Sequence, residues 1–574
     1  MPIPSQPASA LGPLQGLVGL KEKLGLWRAR RKASPWWTIT VGLILCVMLL
    51  PVATTTVLAL RPTSGTWQHL MATVLPRVLT DTGVLLAGVC IVTLATGTMT
   101  AWIVTMYRFP GRAIVDRMLV LPLAIPTYII AYAYVDFLDY TGPVQTLLRA
   151  LTGWQWATDY WFPDVRTMPG AIFIMSATLY PYVYLTARAS FVQQSVCVME
   201  VARTLGRSPW GAFRAVALPL ARPALAAGVA LALMETLNDL GAVRHLGIET
   251  VSAAIYATWL QRSSLAGAAQ IALVALAFVA LLFWFENLAR GRGRVHNTTG
   301  RMRSIPFAEL RGVQAAAAFL VCALPVVIGF CIPFGILLSN AWRHMDEAFE
   351  QGFWQAAVNS VSLAGLTAIS AVALGVILSY ARRVAANGFT RPAVKLTSIG
   401  YALPGTVLAL GLLIPLAAFD NWFDALMRAW FGISTGLLLT GTLGMLVLAY
   451  TVRLLAVAQG TVEAGLEKIS PNLDAAARTL GETALSALRR VHLPLLLPAL
   501  ATAALLVFVD AMKELPATLL LRPFGFETLA THVFSLAALE QVEAASVGAL
   551  AIVFVGLVPV LMLHRAVADG RAGG

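Results

Sequence analysis

About a dozen stretches of roughly 20 apolar residues punctuate this sequence, and nothing constrains its fold more. A helix needs about 20 such residues to cross the hydrocarbon core of a bilayer. The stretches fall near residues 37–60, 82–106, 118–136, 169–187, 219–242, 266–289, 313–337, 356–380, 396–419, 434–457, 494–519 and 544–567. Backbone polar groups in lipid must pair within the segment or in a closed barrel. Barrel strands alternate apolar and polar residues, and these runs do not alternate. The expected fold is an all-α polytopic membrane protein of about 12 spans. Charge agrees: 12% of the residues are charged and the mean hydropathy is +0.76, against about 25% charged in a soluble domain. The first run follows a polar to basic segment, 1–35. It exceeds the about 7–15 residues of a signal-peptide core and reads as a retained span.

The formal net charge of +13 could indicate a nucleic-acid partner, but the placement of the charges speaks against one. With the N-terminus in the cytoplasm, 31 of the 41 Lys and Arg residues fall in seven inner segments: 21–32, 108–117, 188–222, 290–311, 382–395, 453–490 and 565–571. The positive-inside rule selects this orientation and places both termini inside. The basic residues are then dispersed over loops and form no stripe for nucleic acid. The five cysteines form no Cys-x-x-Cys pair and the seven histidines are scattered, so neither a disulfide framework nor a resident metal site is expected.

The basic, glycine-containing segment 291–312 divides the chain into halves at 36–290 and 313–574, each with about six spans. The halves repeat one another. EVARTLGRSPWGAFRAVALPL begins at Glu200 and AAARTLGETALSALRRVHLPL at Ala475. Arg-Thr-Leu-Gly (203–206, 478–481) and Leu-Pro-Leu (218–220, 493–495) recur at one offset of 275, which also aligns Glu235 with Asp510 and Asp239 with Glu514. An even number of spans per half gives both copies the same orientation, as in parallel repeats.

The repeated loop has a predictable shape. Residues from Glu200 favour helix, and Gly206, like Gly481, can supply the left-handed residue of a helix stop. A short helix from Ser208 to Arg214 should follow, with Pro219 and Pro494 where the next spans begin. Trp210 and Phe213, and likewise Leu485 and Leu488, are three apart and should share a face, an apolar knob suited to a groove on a soluble partner.

Glu-x-Ala-x-x-x-Gly followed by aliphatic-x-Leu-Pro resembles the signature loop of binding-protein-dependent ABC importer permeases. The residues that carry the likeness are Glu200, Ala202, Gly206, Val216, Leu218 and Pro219, then Ala477, Gly481, Val491, Leu493 and Pro494. The resemblance implies a bacterial inner-membrane subunit whose loops dock on two copies of a cytoplasmic ATPase, fed by a soluble binding protein outside. It also implies that Mg-ATP belongs to the ATPase, that this chain carries no cofactor, and that no permease dimer is needed because both halves are fused. The second copy has Ala475 at the acidic position, with Asp474 adjacent as a possible substitute. No lysine follows a glycine, so the Gly-Lys-Ser/Thr core of a P-loop is missing and the chain itself is not expected to hydrolyse ATP.

Two polar clusters interrupt the apolar runs: Glu235, Asn238 and Asp239, and Asp510, Lys513 and Glu514. The acids of each cluster are four apart and should share a helix face, with Gly241 and Pro516 ending or kinking the helix. Charges inside a membrane persist where they meet a partner or water, so these residues are expected to line the pathway or its gate, or to form a structural pair through Lys513. The strings ETLNDLG (235–241), IETVSAAIYATW (248–259) and KELPATLLLRPFGFETLAT (513–531) resemble ferric-iron permeases over nearly the whole chain. The acids, with Tyr128, Tyr132 and Tyr134, offer hard oxygens for transient Fe³⁺ contact, although interfacial tyrosines are common. Pro126 and Pro404 should kink the third and ninth spans. Import of thiamine, an aminophosphonate or a polyamine fits the same architecture. An ion-coupled secondary transporter is the alternative from another class; a membrane enzyme lacks a nucleophile–base pair.

Overall fold

The computed structural model describes residues 35–62, 65–193, 209–290, 308–385 and 387–569. The N-terminal segment to residue 34, most of the linker (291–307), and Glu200, Ala202 and Gly206 lie outside the described residues. Almost every described residue outside a short loop is helical. Among them the strands are Tyr107–Arg108 and Ala308–Glu309, paired in parallel.

The first half comprises α1 (Pro35–Ala59), α2 (Trp67–Met106), α3 (Arg112–Met118), α4 (Thr127–Leu138), α5 (Pro143–Thr152), α6 (Met168–Gln193), α7 (Trp210–Asn238), α8 (Gly241–His245), α9 (Val251–Leu260) and α10 (Leu265–Arg290). Among the described residues the second half repeats the order, except that one long helix stands where the first half has α4 and α5. It comprises α11 (Gly312–Arg343), α12 (Gln351–Val384), α13 (Thr390–Leu396), α14 (Gly405–Phe431), α15 (Leu443–Glu467), α16 (Pro471–Thr479), α17 (Ala484–Met512), α18 (Pro516–Leu521), α19 (Leu529–Ala538) and α20 (Val542–Asp569). Among the described residues eleven helices are long and apolar enough to span a bilayer, or twelve when the bent pair through Pro126 counts as one.

That bent pair corrects the expectation of kinked helices. Pro126 and Pro404 do not bend a continuous helix; each is the residue before one. Ile125 is extended (φ −102°, ψ 118°), as a residue before proline prefers, and Pro126 (ψ 143°) and Pro404 (ψ 138°) cap α4 and α14. The first break turns the chain by 93°.

Pro219 and Pro494 correct the sequence reading in the opposite sense. They were expected to start spans, yet both lie inside one. Proline has no N–H and its ring crowds the carbonyl four residues back. The chain responds with one π turn, Phe213–Ala217 or Leu488–His492, closed by Leu218 N to Phe213 O or Leu493 N to Leu488 O. The helix continues through it. α7 and α17 are each 29 residues long, about 43 Å at 1.5 Å per residue. Each therefore runs uninterrupted from the repeated loop to the polar cluster.

The described chain forms two compact units. One is built from residues within 35–49, 369–400 and 455–504, the other from 50–368, 401–454 and 505–569. The smaller unit is centred on Tyr380, Val462, Leu466, Leu488 and Leu496, with Trp37 edge-on to Tyr380 at 5.4 Å. The larger contains a core around Trp102, Tyr180, Tyr184, Phe191 and Phe213, and a second around Leu70, Val251, Ile255 and Leu410. Of the described cysteines, Cys322 is buried, Cys90 is half-buried, and Cys46 and Cys331 are exposed.

Candidate functional site

The polar clusters sit where α7 and α17 end, so the acids do not share one helix face as their spacing suggested. α7 stops at Asn238, and Asp239 is extended (φ −68°, ψ 120°). Its Oδ1 accepts the amide of Ala242 at 2.8 Å, and its other oxygen accepts the hydroxyl of Thr127 at the start of α4. α17 stops at Met512, and Glu514 Oε1 accepts the amide of Ala517 at 3.1 Å. Each acid thus satisfies a free amide of the short helix that begins at the break, α8 or α18. Capper and capped residues keep the offset of 275 (239 and 242, 514 and 517). The packing is close at this point: a Cβ on Gly241 would lie 2.7 Å from both Leu515 Cδ2 and Tyr128 Cβ.

The two breaks join through one residue that sequence reasoning misplaced. Arg453 was counted among the inner loop cations, yet it lies within α15 and is 6% exposed. Its Nη1 is 2.7 Å from Glu514 Oε2 and 3.1 Å from Asn238 Oδ1. Asn238 Oδ1 also accepts the amide of Gly405 at 2.7 Å, and Glu235 accepts the Tyr401 hydroxyl at 3.2 Å. Lys513 pairs with Asp510 at 2.9 Å, both about 30% exposed. The signal that could have found Arg453 is its setting, VLAYTVRLLAVA (447–458): one arginine flanked by apolar residues on both sides is an intramembrane charge, not a loop marker.

These groups enclose a cavity of about 100 Å³, lined also by Tyr128, Thr178 and Tyr182. Its lining holds four carboxylates (Glu235, Asp239, Asp510, Glu514) and two cations (Arg453, Lys513). Tyr128, Tyr132 and Tyr134 are all buried within the protein. Tyr134 donates to the Ile328 carbonyl at 2.6 Å, Tyr132 packs on His245 with centroids 4.6 Å apart, and only Tyr128 of the three lines the cavity.

At the other end of the rods the expected knobs divide. Trp210 is 51% exposed but Phe213 only 7%; Leu485 is 50% exposed but Leu488 only 6%. Phe213 packs into the first core, 4.7 Å from the Trp102 ring centroid, and Leu488 into the smaller unit. Each copy therefore presents one large apolar side chain instead of a pair. Gly481 meets expectation: at φ +80° it ends α16 in a Schellman motif, with Glu482 N to Ala477 O at 3.0 Å and Gly481 N to Arg478 O at 3.0 Å. Beside it the Ser486 hydroxyl, then Arg490, hold the Glu482 carboxyl below its usual range. Asp474 is not a free acid in place of Ala475. Arg383 Nε and His492 Nε2 each hold it at 2.7 Å, and Arg383 also donates to the carbonyls of Leu466, Ile469 and Ser470. It fixes the loop internally, beside an open groove lined by Arg382, Glu467 and Arg478.

The family described as "Binding-protein-dependent transport system inner membrane component" matches the sequence twice, over residues 93–292 and 371–571. The Fe(3+)-transport system permease protein FbpB 2 of Haemophilus influenzae is 27% identical over 548 residues, covering 93% of this chain and 99% of that protein. The sulfate transport system permease protein CysT of Escherichia coli is 29% identical over 276 residues, 46% of this chain and 95% of CysT. The putative 2-aminoethylphosphonate transport system permease protein PhnV of Salmonella typhimurium is 27% identical over 262 residues, 43% of this chain and 92% of PhnV.

Proposed function

This chain belongs to the family of binding-protein-dependent transport system inner membrane components, and from that premise we propose that it is the membrane subunit of an ATP-driven importer of ferric iron. It is a multi-pass, all-α protein of the inner membrane carrying that family's domain in tandem. Halves 36–290 and 313–574, joined by the linker 291–312, supply the whole pathway, so one chain serves in place of a permease dimer. Both termini face the cytoplasm. Two copies of a separate ATPase, which alone carries Mg-ATP, grip the loops at 200–219 and 474–494, and a soluble binding protein delivers cargo from outside. This chain has no cofactor and no enzymatic step of its own.

The observation that carries this reading is the repeated rod. In each copy one helix of 29 residues begins at the loop with its exposed Trp210 or Leu485 and ends at the acids that cap a break. ATPase closure pulls on one end, and the opposite end carries the polar groups of the gate. The cargo follows from the likeness to FbpB 2 over nearly the full length. It also follows from the charge around the cavity, where four carboxylates and two cations favour a cation over sulfate or a phosphonate.

The test is reconstitution of the chain in proteoliposomes with its ATPase and binding protein. ATP-dependent uptake of radioactive iron, abolished by Glu200→Lys together with Gly481→Pro, is the expected result. Uptake of aminoethylphosphonate with no uptake of iron would transfer the reading to the second cargo class, which the likeness to PhnV favours. Uptake driven by an ion gradient without the ATPase would defeat it.

A further inference from the structure

We infer that the four carboxylates at the helix breaks form a seat for a hard multivalent cation, and that Arg453 and Lys513 are tethered counter-ions which hold that seat until cargo displaces them. The inference rests on the importer reading for the identity of its cargo, but not for its test.

The repeat supplies the first argument. All four acids are retained at paired positions, 235 with 510 and 239 with 514, whereas the cations are not. The positions 275 residues before Arg453 and Lys513 are Thr178 and Asn238. A purely structural set of ion pairs, duplicated with its fold, would repeat its cations with its acids. Capping accounts for Asp239 and Glu514; it does not account for Glu235 and Asp510, which cap nothing. Among the described residues Glu235 has a phenol as its hydrogen-bond partner and no cation at ion-pair distance.

The second argument is independent of the acids. Tyr128 is 4% exposed and lines the same cavity, and its buried hydroxyl has no hydrogen-bond partner. An unpaired buried hydroxyl is costly, and at the wall of this cavity it is free to pair with a ligand that enters. Phenol and carboxylate oxygens together are hard donors. With both pairs closed, two of the four carboxylates are already neutralised within about 100 Å³, which discourages a stray cation. Among the described residues no three acids stand together as a metal site with the pairs closed, so the seat forms only when Arg453 and Lys513 move away and free the four acids and the phenol. The exchange is of cation for cation, with no bond made or broken.

The experiment uses the full chain in lipid nanodiscs with Tb³⁺, an oxygen-seeking trivalent probe, and refers binding to the Glu235→Gln/Asp510→Asn variant to subtract surface sites. Lys513→Met and Arg453→Gln should each tighten Tb³⁺ by about tenfold or more, and Glu235→Gln and Tyr128→Phe should weaken it. Sulfate should not bind. If Arg453→Gln fails to fold, Arg453→Gln/Glu514→Gln removes the pair together and should bind within a few-fold of the parent. Unchanged or weaker Tb³⁺ binding on removal of Lys513, or sulfate binding lost with Arg453, overturns the inference. Failure of iron uptake with these Tb³⁺ responses intact would sink the iron reading and leave the seat standing. Iron uptake with an unresponsive Tb³⁺ signal would do the reverse.

Discussion

Where α7 and α17 end, the two copies of the repeat share a backbone and differ in charge. Both helices run 29 residues, pass one π turn before a proline, and stop at an acid that caps the next short helix. Yet the first copy contributes Glu235, Asn238 and Asp239 without a cation, and the second contributes Arg453 and Lys513. One guanidinium suffices because its Nη1 reaches Asn238 of the first copy and Glu514 of the second. A symmetric mate at Thr178 would bring a second guanidinium to the same small cavity. The features that stayed duplicated are those the backbone imposes locally. Those that diverged are side chains meeting in one shared space, and a fused chain lets the two positions differ where a dimer of identical halves could not.

The sharpest way to break this comparison is to remove the capping acid from each copy. Glu514→Ala strands the buried Arg453, and losing one partner of a buried ion pair costs about 3–5 kcal/mol. Asp239→Ala loses only hydrogen bonds from Thr127 and Ala242 and should cost about 1–3 kcal/mol. Thermal unfolding in detergent reads the difference; equal losses would mean that Arg453 does not depend on Glu514. A similar contrast holds at the loop ends. Phe213→Ala should cost about 3–5 kcal/mol and Leu488→Ala about 2–5 kcal/mol, since both open cavities in packed cores. If either is neutral by the same measurement, that residue is the docking knob after all.

A smaller effect tests how closely the break is packed. Gly241→Ala must push aside Leu515 or the Cβ of Tyr128, and overpacking of this kind costs about 1–3 kcal/mol. The cost should appear as a lowered unfolding midpoint and a reduced uptake rate. Ser or Ala at the exposed Gly388 meets nothing within 4 Å and provides the control.

What was legible in the sequence is what a bilayer or a duplication dictates. The apolar runs, the halves, the 275-residue register and the four acids could all be read directly, because lipid thickness and repetition leave linear traces. The residues that misled did so for stated reasons. Arg453 passed as a loop cation because counting Lys and Arg assigns sidedness without asking whether the flanks are apolar. Pro126 and Pro404 were visible, but whether a proline kinks a helix or precedes one depends on what its neighbours pack against. Phe213 and Leu488 were placed on the outward face by α-helical spacing. The spacing itself holds in the first copy, where Trp210 stacks on Phe213 at 5.0 Å; what it does not reveal is that packed cores cover Phe213 and Leu488. Asp474 looked free because its partners, Arg383 and His492, are 91 and 18 residues away.

The smallest expected changes in stability, at the two exposed loop residues, should accompany the clearest changes in coupling. Trp210 and Leu485 occupy the same place in the two loops and are about equally exposed, but the indole offers a larger, stiffer surface. Replacing Leu485 with Ala should alter stability by no more than about 0.5 kcal/mol, as at exposed sites generally. Trp210→Ala should cost about 1 kcal/mol, because Trp210 also stacks on Phe213 at 5.0 Å. ATPase affinity for nanodisc-held permease should respond in the same order but more strongly. Tryptophan anchors at interface centres are worth about 2 kcal/mol or more, whereas leucine is under-represented among such anchors. Trp210→Ala should therefore weaken binding about 30-fold and Leu485→Ala markedly less, leaving one ATPase held more tightly than the other. Equal losses would show the two loops to be functionally alike despite their sequences. No loss in either would remove both side chains from the docking surface, and the rods would then need another handle.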